Sequence, residues 1–302
     1  AIEGSIPSGA NMNIHKDIKN IVDEQIKKQK IIPTKDDIVE GSALFDIKDG
    51  RINVTKHPTV NEHKGLNSRC DTFEQMCLGL AVNNVKFLLL PHDVTSESKN
   101  NEHYSICFSK LRHQNFVTIP NIHLLMGSVD RFFAEVNKHD SDLTNKVKSS
   151  VFAGGPQGDK RSAYLKKLSG NTTHVGALSN AQVLPLSAQL DFMFTINIDG
   201  HALCYDRLYW QMHGNCIPVY LDRNKNIVQL HDELIIPNVH YIESSVEHWL
   251  ETFKSLVEEQ SIRKVASNGK DFIQSHFGDN AQSSSFRILS YVLLVMEAQQ
   301  KT

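Results

Sequence analysis

The sequence predicts an α/β protein built on parallel sheets. Short, wholly apolar runs alternate with amphipathic stretches of helical period along most of the chain. Several of these runs stop on glycine, proline or aspartate, as buried strands do where they enter a turn. The runs also gather into two clusters, before and after about residue 148. Two domains are therefore expected, residues 1–148 and 149–278, with 279–302 as a closing helix able to pack back on the first.

Residues 14–40 are polar and lysine-rich, with isoleucine and valine at helical spacing through IHKDIKNIVDEQIKKQ. This predicts an exposed amphipathic helix, then a loop carrying Pro33. FDIKDGRINVT reads as a hairpin turning at Asp49–Gly50, because an Asp-Gly pair accepts the left-handed dihedrals of a tight turn. DTFEQMCLGLAVNN predicts a helix and VKFLLLPHD a buried strand; YSICFSKL and NFVTIPN add two strands, and SVDRFFAEVNKH a helix. SSVFAGG is a strand that runs into a glycine turn ahead of the helix DKRSAYLKKLSG. DFMFTINIDG repeats that pattern, followed by a helix through DRLYWQMHG and the strand CIPVYL. The helices VEHWLETFKSLVEEQ, SIRKVASNGKDFIQSHF and SSFRILSYVLLVMEAQQ close the chain.

With 302 residues, 40% hydrophobic and 22% charged, the chain can bury a sizeable core. A formal charge of −2 gives nucleic acid or an anionic membrane no bulk attraction, so any phosphate binding must be local. No apolar run reaches the roughly 18 residues that a membrane span needs. Residues 1–13 lack the basic-then-apolar pattern of a signal peptide and read as a cloning scar or trimmed leader. A cytoplasmic or host-cell cytoplasmic location is expected rather than secretion. The five cysteines (Cys70, Cys77, Cys107, Cys204 and Cys216) show no CxxC spacing, which argues against structural zinc and for scattered buried thiols. Asn53 and Asn171 head N-x-[ST] triplets, acceptors only in a secreted protein.

In open α/β sheets, ligands bind beyond the carboxyl ends of strands. Three such ends carry chemistry here. VFAGGPQGDKR places Gly154 and Gly155 between a strand and a helix, with Arg161 inside that helix. This is either a plain turn or a cradle of backbone N–H groups for phosphate, with Arg161 adding a charge-assisted contact. INIDGHALCYDRL brings Asp199 and Gly200 to a strand end, with Arg207 placed to neutralise a diphosphate or to pair with Asp199 or Asp206. LLLPHDV ends a strand on His92 and Asp93, either a proton-transfer pair or a turn with an N-cap. Asp140-Ser141-Asp142 is a possible DxD metal site, but it follows a helical stretch and not an apolar strand, so a solvated loop is expected. His231, His240 and His248 show no metal-ligand spacing.

Taken together, residues 85 to about 277 resemble the CAP10/Rumi-like glycosyltransferases, the protein O-glucosyl/xylosyltransferases and capsule xylosyltransferases. The family's Phe-Arg-Gly-Ser block with a downstream Arg is similar to Phe152-Ala153-Gly154-Gly155 with Arg161, and its Gly-ended strand leading to an Arg resembles Ile196 to Arg207. Its Pro-x-x-His-Tyr signature resembles Pro237–Tyr241, and its Ile-Ala-x-x-Gly-x-x-Phe helix resembles Val265–Phe272. Ala153 stands where the family has Arg, and counting from Gly200 puts Asp206, one residue before Arg207, at the family's Arg position.

The resemblance implies two facing Rossmann-like domains (GT-B type) with the active site in the cleft. It implies an inverting, metal-independent transfer of xylose or glucose from a UDP-sugar to a hydroxyl of a glycan or glycoprotein, without a separate cofactor. Asp93 would be the general base. Gly154, Gly155, Arg161 and the segment Gly200, His201, Ala202, Leu203, Cys204, Tyr205, Asp206 and Arg207 would bind donor and diphosphate. His92, Gly127, Ser128 and Arg131 would line the acceptor side or cleft. The alternative is a catalytically weak or inactive relative that binds glycan or nucleotide.

Overall fold

Helices and strands interleave in the computed structural model, which describes residues 14–92, 102–155, 159–169, 174–176, 184–199 and 206–302. The chain divides into two compact units. One comprises Ala1–Leu125, Asn226–Asp232 and Ser283–Thr302; the other comprises Met126–Lys225 and Glu233–Gln282. The position expected for the boundary, 148, falls inside the second unit. Ser283–Thr302 groups with the first.

The first unit opens with α1 (Lys16–Ile26). Its Ile18, Val22 and Ile26 recur every fourth residue and are buried, while Lys16, Asp17, Asn20 and Glu24 are exposed, so the helix is amphipathic as expected and lays its apolar face on the core. β1 (Ala43–Lys48) and β2 (Arg51–Lys56) form the expected hairpin, with Asp49 and Gly50 at φ 50° and 74°. Then come α2 (Pro58–Glu62), α3 (Lys64–Leu78), β3 (Asn84–Leu90), β4 (Ser105–Cys107), β5 (Lys110–Leu111), β6 (Val117–Thr118) and α4 (Ile122–Leu125). The sheet order is β2-β1-β3-β4-β6. β3, β4 and β6 run parallel, but β1 is antiparallel to both β2 and β3, so this sheet is mixed and not parallel throughout. A two-residue turn allows only an antiparallel partner. Phe45, Phe73, Phe87 and Phe108 form its aromatic core, with Phe45 and Phe87 stacked at 5.4 Å and Phe73 edge-on to Phe45 at 5.5 Å.

The second unit begins with α5 (Ser128–His139), β7 (Val147–Phe152), α6 (Asp159–Ser169), β8 (His174–Gly176), α7 (Leu186–Gln189), β9 (Phe192–Ile198), α8 (Arg207–His213) and β10 (Ile217–Leu221). The chain visits the first unit for β11 (Ile227–Val228), which pairs with β5, before β12 (Ile242–Ser244), α9 (Val246–Glu258) and α10 (Arg263–Phe277). α11 (Ala281–Gln300) closes the chain. Among the described residues no helix is long and apolar enough to cross a membrane.

The five strands of the second sheet are all parallel, in the order β12-β10-β9-β7-β8. Numbered within the sheet, that is the doubly wound order 2-1-3-4-5. Alternation along β9 explains the two covered faces. Phe194, Ile196 and Ile198 join Leu165 and Leu168 of α6 and Trp249 and Phe253 of α9 in one core, while Asn197 turns to the other face and bonds Gln211 of α8 at 2.5 Å.

Candidate functional site

In this sheet β8 lies on one side of β7, while β9, β10 and β12 follow on the other. The strand order therefore reverses between β7 and β9, and a doubly wound sheet opens a crevice beyond the carboxyl ends of those two strands. β7 ends on Phe152, followed by Ala153, Gly154 and Gly155; β9 ends on Ile198, followed by Asp199.

Two arginines converge there. Arg161, in α6, donates from Nη2 to the Ile198 carbonyl at 2.7 Å and from Nη1 to the Gly155 carbonyl at 3.4 Å. Arg207, the first residue of α8, donates from Nη2 to the Ala153 carbonyl at 2.5 Å. Each arginine thus follows one strand and bonds the end of the other. Both guanidinium groups also lie near the Phe152 ring, with Cζ 5.6 Å from its centroid for Arg161 and 4.8 Å for Arg207. A Cβ on Gly154 would stand 3.0 Å from Phe152 Cζ and 3.2 Å from Arg207 Nη2, so glycine leaves the space that Arg207 needs. Asp206 is the N-cap of α8 without a side-chain capping bond. Of the two neighbouring residues, Arg207 is the one whose side chain reaches the end of β7.

Asp199, 7% exposed, has another task. It accepts from Tyr220 Oη at 2.5 Å and from the Asn224 backbone N–H at 2.8 Å, which ties the turn after β10 to the end of β9. That turn includes Asp222 at φ 48°, whose carbonyl accepts from Lys160 Nζ at 2.8 Å and whose carboxylate accepts from the Val246 N–H at 3.1 Å.

Asp93 and the segment Gly200, His201, Ala202, Leu203, Cys204 and Tyr205 lie outside the described residues, as do Asn171 and residues 1–13. The remaining candidates divide between the two units. In the first, His92 packs against Gly41, whose φ of 74° and lack of Cβ admit the imidazole; an added Cβ would meet Nε2 at 1.8 Å. Just before it, the Pro91 carbonyl accepts from Arg69 at 2.8 Å.

In the second unit, Gly127 enters α5 with φ 70°, and Arg131 Nη2 donates to Ser128 Oγ at 3.3 Å. Asp130 beside them accepts from the N–H groups of Ala281 and Gln282 at 2.6 and 2.8 Å, capping α11. The Gly127–Arg131 stretch is therefore not gathered at the β7 and β9 ends by any of these bonds. Its contacts belong to the starts of α5 and α11.

Asp140 is not a solvated loop residue. Its side chain is 7% exposed, pairs with the buried Lys146 ammonium and accepts from the Asn215 N–H at 2.6 Å. Lys146 also donates to the Leu190 carbonyl. These bonds commit the Asp140 carboxylate structurally, and no group of three or more His, Cys, Asp or Glu suited to a metal occurs among the described residues.

The Pro237–Tyr241 block is a tight turn: Asn238 has φ 60° and its N–H bonds the Tyr241 carbonyl at 2.6 Å. His240 Nδ1 accepts from the Ile236 N–H at 2.9 Å, and its ring lies 5.2 Å from Phe272. Gly269 lets α10 approach, since a Cβ there would stand 3.2 Å from Met212 and 3.3 Å from the His240 carbonyl. Two of the four sequence blocks are thus one packing unit inside the second unit. Burial pushes the Cys70, Cys107 and Cys216 thiols up to about 12, so none of the three is a ready nucleophile near neutral pH.

Phe152 received no role in the sequence, although it stands beneath both arginines. Its place as the last aromatic residue of the strand, one alanine before a glycine pair, was the available signal. No protein-family model matches the chain, and no curated protein does.

Proposed function

We propose that the chain is an inverting glycosyltransferase that moves xylose or glucose from a UDP-sugar to a hydroxyl of a glycan or glycoprotein. The observation that carries this reading is the convergence of Arg161 and Arg207 at the reversal point of a parallel 2-1-3-4-5 sheet. Two guanidinium groups at such a crevice suit a diphosphate, because each presents a planar fork of donors to phosphate oxygens and keeps its charge at any working pH. They would stabilise the charge that develops on the leaving UDP, so the reading needs no metal or separate cofactor. The similarity of Phe152–Gly155, Ile196–Arg207, Pro237–Tyr241 and Val265–Phe272 to the CAP10/Rumi-like blocks supplies the reaction type. With it come the GT-B arrangement of two facing Rossmann-like domains and Asp93 as the base that takes the acceptor's hydroxyl proton. Arg207 donating to the Ala153 carbonyl also bears on the missing family Arg at 153, since it brings a guanidinium to that residue's backbone.

The test is calorimetric titration of UDP into the native chain, Arg161→Ala and Arg207→Ala. Each substitution removes a charge-assisted contact worth about 1.5–3 kcal/mol, so affinity should fall roughly 10- to 100-fold. Normal binding by both variants would remove the diphosphate site. Ala153 also favours a second reading, a relative that binds nucleotide or glycan without turnover. UDP binding without hydrolysis or transfer from UDP-xylose and UDP-glucose would establish it.

A further inference from the structure

We infer that Phe152 and Gly154 are positioning residues that preassemble Arg161 and Arg207 as a paired cation before any ligand arrives. This inference rests on the diphosphate reading above. Two guanidinium groups brought to one place repel each other, and something must hold them. At this site the Phe152 ring and two backbone carbonyls hold the guanidinium groups without cancelling their charge. The Phe152 ring, 1% exposed, lies 4.8 and 5.6 Å from the two guanidinium carbons. An aromatic face attracts a cation through its quadrupole and leaves its full charge in place. The carbonyls of Ala153 and Ile198, each bonded by the arginine of the opposite strand, do the same. Gly154 completes the device by leaving open the space beside Phe152 Cζ and Arg207 Nη2 that a methyl group would fill.

The two residues act differently. Removal of the ring loosens both arginines, whereas a methyl at 154 crowds Arg207 and the ring edge but meets no atom of Arg161 among its nearest neighbours.

Fluorinated phenylalanines incorporated at position 152 weaken the ring quadrupole while nearly conserving its shape. Affinity for UDP and for inorganic pyrophosphate should fall stepwise along that series and drop roughly tenfold in Phe152→Leu. Nitrogen-15 spectra of arginine-labelled protein give a readout that needs no ligand. The Nε–H resonances of Arg161 and Arg207 should be ring-shifted in the native chain. Both shifts should collapse in Phe152→Leu, and that of Arg207 should move more in Gly154→Ala. A flat fluorination series, or arginine resonances with no ring shift, would overturn the positioning role even if UDP binds. Ring-shifted arginines in a native chain that binds neither UDP nor pyrophosphate would refute the diphosphate reading instead, and with it the purpose proposed for the ring.

Discussion

The two sheets solve the same backbone problem by different means. In the second unit five parallel strands pair with one another, and helices cover the sheet. In the first unit β4 and β6 are short, and side chains finish what the ladder leaves open. Gln29 donates to the carbonyls of Ser105 and Asn115 at 3.0 and 3.2 Å and accepts from the Ser105 N–H at 3.1 Å. Gln25 accepts from the Thr118 N–H at 2.8 Å. The stretch of β3 that precedes its pairing with β4 is completed from α11. Glu297 accepts from the Asn84 N–H at 3.2 Å, and Gln300 both accepts from the Lys86 N–H at 2.9 Å and donates to its carbonyl at 2.7 Å. Buried backbone groups must be paired, and an amide side chain offers the same donor and acceptor as a neighbouring strand. A ladder presents its strand ends in a fixed row, which suits a ligand site; side-chain surrogates hold a sheet one residue at a time.

The largest effect expected is on function. If the chain of the first unit carries the base and the second carries the donor site, the two properties separate by mutation. Asp93→Asn should lower sugar transfer about 10²–10⁴-fold while UDP affinity stays native. Transfer at close to the native rate would require a different base and dissolve that division of labour.

Stability offers the next contrast. Asp140→Ala leaves the Lys146 ammonium, 0% exposed, without its carboxylate, and breaking such a pair costs about 3–5 kcal/mol. Gln29→Leu orphans the backbone N–H of Ser105, which is 0% exposed, and should cost about 1–3 kcal/mol. Chemical denaturation followed by hydrogen exchange would localise each loss. Protection lost across β7, β9 and β10 in the Asp140 variant, and across β4 and β6 in the Gln29 variant, supports two separately stabilised sheets. Loss of protection throughout both units in either variant would erase the contrast.

The smallest effect is in pH. Burial lowers the values of both His213 and His240, and the Lys270 charge lowers that of His213 further. A histidine whose folded value lies below its unfolded one contributes stability that is present above the unfolded value, about 6.5, and fades as pH falls through it. Both residues belong to the second unit. In the first, Asp37 is held low by hydrogen bonds from the Thr34 backbone and hydroxyl, with a contribution from His103. Its stabilisation is present above the ordinary carboxylate range and is lost only as pH falls through about 4 and below. Denaturation between pH 7.5 and 5 should therefore weaken the second unit before the first. His240→Gln should flatten that dependence.

What the sequence determined by itself was local. Alternating apolar runs located β3, β7, β9 and β10, and the Asp49–Gly50 pair identified the hairpin, because a short chain segment carries its own period and turn chemistry. It also singled out Gly154, Arg161 and Arg207 as residues at strand ends. Whether those residues meet was decided by strand order: β7 and β9 are separated in sequence by α6, β8 and α7, yet adjacent in the sheet. Tertiary structure also set the antiparallel pairing of β1 with β3 and turned the polar stretch around Gln25 and Gln29 inward. It drew Asp140 into a buried pair and put Phe152 beneath two guanidinium groups. The physical reason is common to all of these. Propensity and periodicity act within a few residues, whereas a polar side chain's role depends on which distant backbone or charge it meets, and only packing brings the two together.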